Sequence, residues 1–138
     1  MASVTRSRFF QADPETVERL IADDVVGFMK AAGFDSVSVE EDCLEIERRL
    51  GLANLSLTLR PIDGEEATLA FEQEAGLFEA MTMQYFVEPT AGGTELEART
   101  EFTLGGVVGS VLDETLVRRQ RKSELEDQFD YLERALED

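Results

Sequence analysis

The stretch "MTMQYFVEPTAGGTELEARTEF", residues 81–102, decides the fold. On both sides of "PTAGG" the side chains alternate with a period of two, which is typical of β-strands. Pro89, Gly92 and Gly93 supply the residues of a tight turn between the two halves. The stretch therefore predicts an antiparallel hairpin. Alternation does not say which face of residues 77–88 points inward, because both faces are fairly apolar.

The same period of two extends upstream of this hairpin. Between residues 36 and 104 it is interrupted at "EED", "LGLAN", "PIDGEE" and "AG", so this region predicts about six strands. Residues 4–10, rich in Val, Thr and Phe, predict one more strand. Three of these strands have one apolar and one polar face, and the apolar faces include Leu44, Ile46, Leu55, Leu57, Leu59, Ala67, Leu69 and Phe71.

Two short helices are expected between the first strand and the rest of the sheet. In "DPETVERL", Asp13 can cap a helix and Pro14 suits its first position. Asp23 and Asp24 are expected to divide the segment in two, and Gly33 is well placed to end it.

A long helix is predicted to close the chain over residues 108–137. Gly105 and Gly106 let the chain reverse after the last strand, and their surroundings have neither the Walker nor the dinucleotide-binding spacing. Ser110 and Asp113 have the spacing of a capping box. Apolar residues recur every three or four positions, at Leu112, Leu116, Leu125, Phe129, Leu132 and Leu136.

These elements predict an α+β fold with a curved antiparallel sheet of about seven strands, two short helices and a long C-terminal helix. This order resembles the helix-grip fold of the START-like superfamily, also called SRPBCC, which includes Bet v 1-type allergens and polyketide cyclase/dehydrase-like proteins. "ADPETVERLIAD" (12–23) resembles the family's segment after the first strand, and "YFVEPTAGGTELEARTEFTLGG" (85–106) resembles its final hairpin. The resemblance covers essentially all of residues 1–138, so we expect a single domain. It implies a hydrophobic ligand cavity between the sheet and the last helix.

The charge balance excludes some partners. The chain has 30 acidic and 13 basic residues, a formal net charge of −17 and no His. Such a surface disfavours binding to nucleic acids and to anionic membranes. An acidic, Lys-poor composition is typical of proteins adapted to strong salt, where charge repulsion is screened. An ordinary acidic cytosolic protein is the alternative.

The composition also bears on metals and location. Cys43 is the single cysteine, so neither an intrachain disulfide nor a Cys-based metal cluster can form. Without His there is no zinc pattern, and the acidic turns do not have the spacing of an EF-hand. We expect no metal and no cofactor. The N-terminus lacks the apolar core of a signal peptide and no apolar run is long enough to span a bilayer, so we expect a cytoplasmic protein without membrane insertion.

"RRQRK", residues 118–122, is unusual in so acidic a chain. At about 100° per residue, Arg119 and Lys122 lie near the apolar direction of the last helix, so we expect their charged ends to point toward the sheet. Together with Arg48 they would receive an anionic head group such as a carboxylate, because a guanidinium offers a fixed fork of donors. The alternative is that these side chains extend into solvent or pair with acids such as Glu114, Glu124 and Glu126.

Candidate ligand-binding residues come from the expected inner faces and from this basic segment. Gln73 and Thr100 are polar groups that could orient a ligand or lie at a rim. Met83 could line an adaptable pocket, although core packing is an alternative. The full candidate set is Arg48, Leu57, Phe71, Gln73, Met83, Tyr85, Thr100, Phe102, Leu112, Thr115, Arg119 and Lys122.

The resemblance implies that the protein binds or carries a small hydrophobic ligand, such as a lipid or polyketide, with an anionic head group as one option. Two alternatives remain: a cyclase- or dehydratase-like enzyme, and a protein-interaction domain whose own side chains fill the cavity. The absence of His removes the commonest general base and leaves a carboxylate or Tyr85, so we expect binding rather than catalysis and assign no catalytic residue. We expect a monomer or a weak homodimer.

Overall fold

The computed structural model describes residues 1–50, 53–64, 66–76, 78–105 and 113–137. Seven antiparallel strands form one sheet in the order β1-β7-β6-β5-β4-β3-β2, with two short helices near the N-terminus and one long C-terminal helix. The predicted α+β helix-grip architecture is confirmed. The elements are β1 (Ala2–Phe10), α1 (Pro14–Ala22), α2 (Val25–Lys30), β2 (Ser36–Glu40), β3 (Cys43–Leu50), β4 (Ala53–Pro61), β5 (Leu69–Gly76), β6 (Phe78–Thr90), β7 (Gly93–Leu104) and α3 (Glu114–Glu137).

The hairpin of β6 and β7 forms as predicted. Thr90 pairs with Gly93 across a two-residue turn, in which Gly92 has a φ of 83°, a left-handed conformation that favours glycine. Met81, Met83 and Tyr85 are buried, which settles the face that alternation left open.

A register shift between Phe78 and Ala80 changes the parity of β6 at its start. A bulge adds one residue to a strand, so side chains before and after it no longer follow simple alternation. Phe78 is therefore buried against Phe102, on the same face as Met81.

The break between α1 and α2 falls at Asp23 and Asp24, as predicted. The Asp24 side chain caps α2 by accepting a hydrogen bond from the Gly27 backbone N–H at 2.9 Å. Asp13 occupies the N-cap position of α1, but its side chain makes no capping hydrogen bond, so that part of the prediction is wrong. Gly33 follows α2 with a φ of 94°, in agreement with its expected role at the end of this segment.

Helix α3 begins at Glu114, later than predicted. Its cap is Asp113, whose carboxylate accepts a hydrogen bond from the Leu116 backbone N–H at 2.7 Å. Asp113 is thus the N-cap residue itself. The predicted capping box places it three positions after the N-cap. Gly106 and Ser110, which the sequence assigns to the preceding turn and cap, lie outside the described residues.

The core lies between the inner face of the sheet and the three helices. Helix α3 contributes a buried stripe that includes Leu125, Phe129 and Leu132, and α1 and α2 contribute Ile21 and Phe28. This packing sets the rotation of α3 about its axis, and therefore decides which polar side chains of the helix face the sheet.

Arg8 of β1 joins the sheet edge to α3. Its guanidinium lies 2.6 Å from a carboxylate oxygen of Glu126, 2.8 Å from Asp130 and 3.1 Å from Glu133. It also lies 5.3 Å from the centre of the Phe129 ring. We call this group the Arg8 cluster. It holds α3 beside β1 and so helps to fix the helix over the sheet.

Candidate functional site

A cavity of about 40 Å³ lies between α3 and strands β3, β4, β6 and β7. That volume has room for a few water molecules. The polar side chains in its wall are Arg48, Thr100, Gln120, Arg121 and Glu124. The rest of the wall is apolar and consists of Phe34, Ile46, Leu55, Leu57, Phe78, Met81, Met83, Phe102 and Val117.

Arg121 is the central polar group of this site, and only 4% of its surface is exposed. Its guanidinium donates from Nε to Thr100 Oγ1 at 2.8 Å, from Nη1 to Glu124 Oε1 at 3.1 Å and from Nη2 to the Tyr85 hydroxyl at 3.0 Å. Burial lowers the pKa of Arg121, but the interactions with Tyr85 and Glu124 outweigh it and the pKa lies above its usual value. The residue therefore carries a positive charge inside the protein.

The network continues from Arg121 into the core. The Tyr85 hydroxyl donates to Gln128 Oε1 at 2.8 Å, and Gln128 Nε2 donates to the Phe28 carbonyl at 3.1 Å. Phe28 also packs edge-on against the Tyr85 ring, with the ring centres 5.1 Å apart. Strand β6 and helices α2 and α3 thus hold Tyr85 in one orientation, and Tyr85 in turn orients Arg121.

Glu124 lies between Arg121 and a second guanidinium. Its Oε2 is 3.8 Å from Arg48 Nε, which is beyond hydrogen-bond distance. Arg48 donates from Nη1 to the Gly33 carbonyl, while its buried Nε has no hydrogen-bond partner among the described residues. Burial raises the pKa of the Glu124 carboxyl above its ordinary value, although Arg121 and Arg48 act against the rise.

The charge of the cavity wall is opposite to that of the protein. The described lining residues supply two guanidinium groups and one carboxyl group, so the wall is positive even when Glu124 is ionised. The chain as a whole has a formal net charge of −17. A buried arginine has lost its hydration and binds an oxyanion more strongly than an exposed one does.

Five of the candidate residues lie in the cavity wall: Arg48, Leu57, Met83, Thr100 and Phe102. Tyr85 lies immediately behind the wall, where its hydroxyl contacts Arg121. Alternation along the strands placed Leu57, Thr100 and Phe102 on an apolar face, but it left open the face that carries Met83 and Tyr85. The structure brings all of these side chains together.

Other candidates lie elsewhere. Phe71 is buried but borders a separate hollow beside Leu44 and Leu69. Gln73 donates to the Phe78 carbonyl at 2.8 Å and thereby links the facing ends of β5 and β6. Thr115 is exposed on α3, and Leu112 lies outside the described residues.

The orientation expected of Arg119 and Lys122 is wrong, because both are exposed on α3 and neither lines the cavity. The arginine that faces the sheet is Arg121. Residues two positions apart in an α-helix differ by about 200° in direction, so Arg119 and Arg121 point to nearly opposite sides.

Sequence reasoning did not assign Arg121, Glu124 or Gln128 to the site and named Glu124 only as an acid that could pair with the basic segment, yet all three are buried. A signal for them was present in the apolar stripe of the helix. Counting back four residues from Leu125 reaches Arg121, and four more reach Val117, both of which face the sheet. The three missed residues are thus polar side chains in the inward-facing positions of an amphipathic helix.

The chain has the START/Bet v 1-like (SRPBCC) fold. A protein from Thermus thermophilus shares 19% sequence identity with it, with a TM-score of 0.75 over 97% of this chain and 99% of that one. The Zhui aromatase/cyclase from Streptomyces sp. R1128 shares 16%, with a TM-score of 0.76 over 98% and 95% of the two chains. A START superfamily protein from Mycobacterium smegmatis shares 12%, with a TM-score of 0.73 over 98% and 97%.

At these identities the likeness shows the fold alone. No protein-family model matches the sequence, and no curated protein matches it either. Within the described part of the chain, no helix combines the length and the apolar character needed to cross a membrane.

Proposed function

We propose that the protein binds a small hydrophobic molecule with an anionic end, such as a carboxylate, in the cavity between the sheet and α3. The observation that carries this proposal is the buried Arg121 in a largely apolar wall, close to an Arg48 Nε that lacks a hydrogen-bond partner among the described residues. The apolar side chains would hold the body of the ligand, and the two guanidinium groups would hold its charged end.

The fold supports the first half of this proposal. The chain resembles proteins of a superfamily that holds hydrophobic molecules between sheet and helix, and one structural neighbour is an aromatase/cyclase. We propose no reaction for this chain.

The size of the cavity sets a condition on binding. A volume of about 40 Å³ is far below the roughly 300–1,000 Å³ of ordinary ligand sites. A ligand larger than a few atoms must therefore displace parts of the wall. Met81 and Met83 are suited to this, because unbranched methionine side chains change rotamer readily.

The small volume also favours a second candidate, a protein-interaction domain whose own side chains fill the cavity. The two candidates differ in one measurable property. A carrier binds apolar acids in the cavity at micromolar to millimolar concentration, and a filled domain does not.

Octanoate and 1-octanol are suitable probes, because they share an apolar chain and differ in charge. We expect calorimetry and amide NMR shifts to show both binding, with octanoate the tighter. Arg48→Gln should weaken octanoate binding about tenfold or more, because a hydrogen bond to a charged group contributes about 1.5–3 kcal/mol. The affinity for 1-octanol should not change.

Two exposed arginines provide matched controls. Arg49 follows Arg48 on the opposite face of β3, and Arg119 lies two residues before Arg121 on α3. Arg49→Gln and Arg119→Gln should each bind octanoate like the parent protein. Failure of both probes to bind would favour the filled domain, and equal losses for acid and alcohol in Arg48→Gln would refute the head-group role.

We also infer that the acidic surface is an adaptation to a salt-rich cytoplasm. The excess acidic side chains behind the net charge of −17 repel one another, and molar salt screens that repulsion. The thermal unfolding midpoint should rise steadily with KCl up to molar concentration. A midpoint independent of KCl would contradict the inference.

A further inference from the structure

In this structure Glu124 occupies the position that the proposed function assigns to an anionic ligand. Its Oε1 lies 3.1 Å from Arg121 Nη1 and its Oε2 lies 3.8 Å from Arg48 Nε. The side chain is 8% exposed and borders the apolar cavity. The protein thus carries its own carboxyl group at the two guanidinium groups.

We propose that Glu124 is an internal competitor for this site: an anionic ligand displaces its carboxylate from Arg48 and Arg121, and Glu124 takes up one proton from solvent. The proposal rests on the proposed function and adds how ligand binding is regulated. One O–H bond forms on a carboxyl oxygen of Glu124, the proton comes from the buffer, and no other bond changes.

The proton uptake follows from electrostatics in a buried site. Two carboxylates that share two guanidinium groups repel each other strongly where water is excluded. A displaced Glu124 carboxylate would also be a buried charge without its partners, which is far less favourable than a neutral carboxyl. Burial already raises the pKa of Glu124 in this structure, and a second anion beside it acts in the same direction.

The groups that face Glu124 come from several elements. Gln120 and Arg121 lie on α3 itself, Arg48 comes from β3, and Tyr85 of β6 acts through its hydrogen bond to Arg121. Thr100 of β7 also contacts Arg121. An arginine side chain is not deprotonated in proteins. The carboxyl group is therefore the member of this cavity wall that can gain a proton when an anion enters.

This arrangement gives ligand binding a dependence on pH. The affinity for a carboxylate should fall as pH rises, because the ligand then competes with an ionised Glu124. The slope can reach about tenfold per pH unit, the limit for linkage to one proton. A neutral ligand does not compete for the guanidinium groups, so its affinity should change little over the same range.

The test is calorimetric titration of the full chain with octanoate in two buffers of different ionisation enthalpy, which reports protons taken up on binding. The parent protein should take up a proton, up to one per octanoate bound. Glu124→Gln, which keeps the shape but cannot ionise, should take up none and should bind octanoate about tenfold more tightly at pH 8. With 1-octanol no uptake is expected.

Asp127→Asn is the control for net charge, since Asp127 is exposed on the same helix. It should behave like the parent protein in both affinity and proton uptake. A gain in affinity equal to that of Glu124→Gln would assign the effect to overall charge and overturn the proposal.

The proposal and the proposed function fail in different ways. Octanoate binding without proton uptake, together with unchanged affinity in Glu124→Gln, overturns the competitor role and leaves the binding function standing. No binding of octanoate or 1-octanol by any variant overturns both. If Glu124→Gln does not fold, the proton uptake of the parent protein in the two buffers decides the matter.

Discussion

Acidic side chains of helix α3 pair with arginines in two opposite environments. At the sheet edge Arg8 binds Glu126 and Asp130, whose side chains are 47% and 51% exposed. Inside the protein Arg121 binds Glu124, and these two side chains are 5% and 8% exposed. The chemistry of the two contacts is the same, and the solvent around them differs.

That difference in burial changes what each ion pair contributes to stability. An exposed ion pair contributes little to stability, and its removal costs little. The Arg8 cluster is therefore an ordinary means of fixing a helix at a sheet edge. A buried ion pair must overcome a large desolvation penalty, and an apolar residue of similar volume often serves stability as well or better. Stability alone therefore does not explain why Arg121 lies in the cavity wall, which agrees with the anion recognition proposed above.

The largest effect is expected when the buried contact is broken on one side. Arg121→Met should lower the free energy of unfolding by about 3 kcal/mol, because Glu124 loses its buried counter-charge and Tyr85 and Thr100 each lose a buried hydrogen bond. Urea denaturation measures this. The double variant Arg121→Met/Glu124→Met should be less destabilised than the single one, since the unpaired carboxyl is then gone. A single variant within about 0.5 kcal/mol of the parent would contradict the comparison.

Breaking the exposed contact should have a smaller effect. Arg8→Ala should lower the free energy of unfolding by about 1–2 kcal/mol, the sum of several part-exposed ion pairs and the contact with Phe129. The loss should shrink in molar KCl, because salt screens exposed charges. The loss in Arg121→Met should stay nearly constant with salt. Equal salt dependence in the two variants would show that the two environments do not differ as described.

The strands were predictable in more detail than the helix, for a geometric reason. Along a strand a side chain has two possible directions, so alternation alone placed Leu57, Thr100 and Phe102 on the inner face. It fails where a bulge changes parity, as at Phe78. Alternation also gives the face and not the position along it, which is why Phe71 was expected in the cavity wall and lies beside another hollow.

A helix has no such binary choice. Each residue rotates the side-chain direction by about 100° about the helix axis. If the residue chosen to define the buried face is wrong by two positions, the expected face is therefore nearly reversed. The sequence interpretation set Arg119 and Lys122 between two apolar directions, one defined by residues 108–119 and the other by Leu125, Phe129, Leu132 and Leu136. The stripe that includes Leu125 and Phe129 gives the correct direction, because these residues are fully buried in the core. Polar residues that fall on such a stripe, here Arg121 and Gln128, are the ones to examine for function.

The smallest effect concerns pH, and it tests whether Glu124 is as strongly desolvated as its burial implies. Burial raises the pKa of Glu124 in the folded protein above its ordinary value of about 4.5, so the folded state binds a proton more tightly than the unfolded state. The stabilising contribution is complete below about pH 4.5 and is lost as pH rises through the folded pKa. The free energy of unfolding of the parent protein, minus that of Glu124→Gln, should therefore decrease with pH from about 4.5 upward, by at most about 1.4 kcal/mol per pH unit. Using Glu124→Gln as the reference cancels the titration of the other acidic groups. A difference that increases with pH would mean that Arg121 and Arg48 hold the folded pKa below its ordinary value, and Glu124 would then be a fixed counter-ion that an incoming anion could not readily displace.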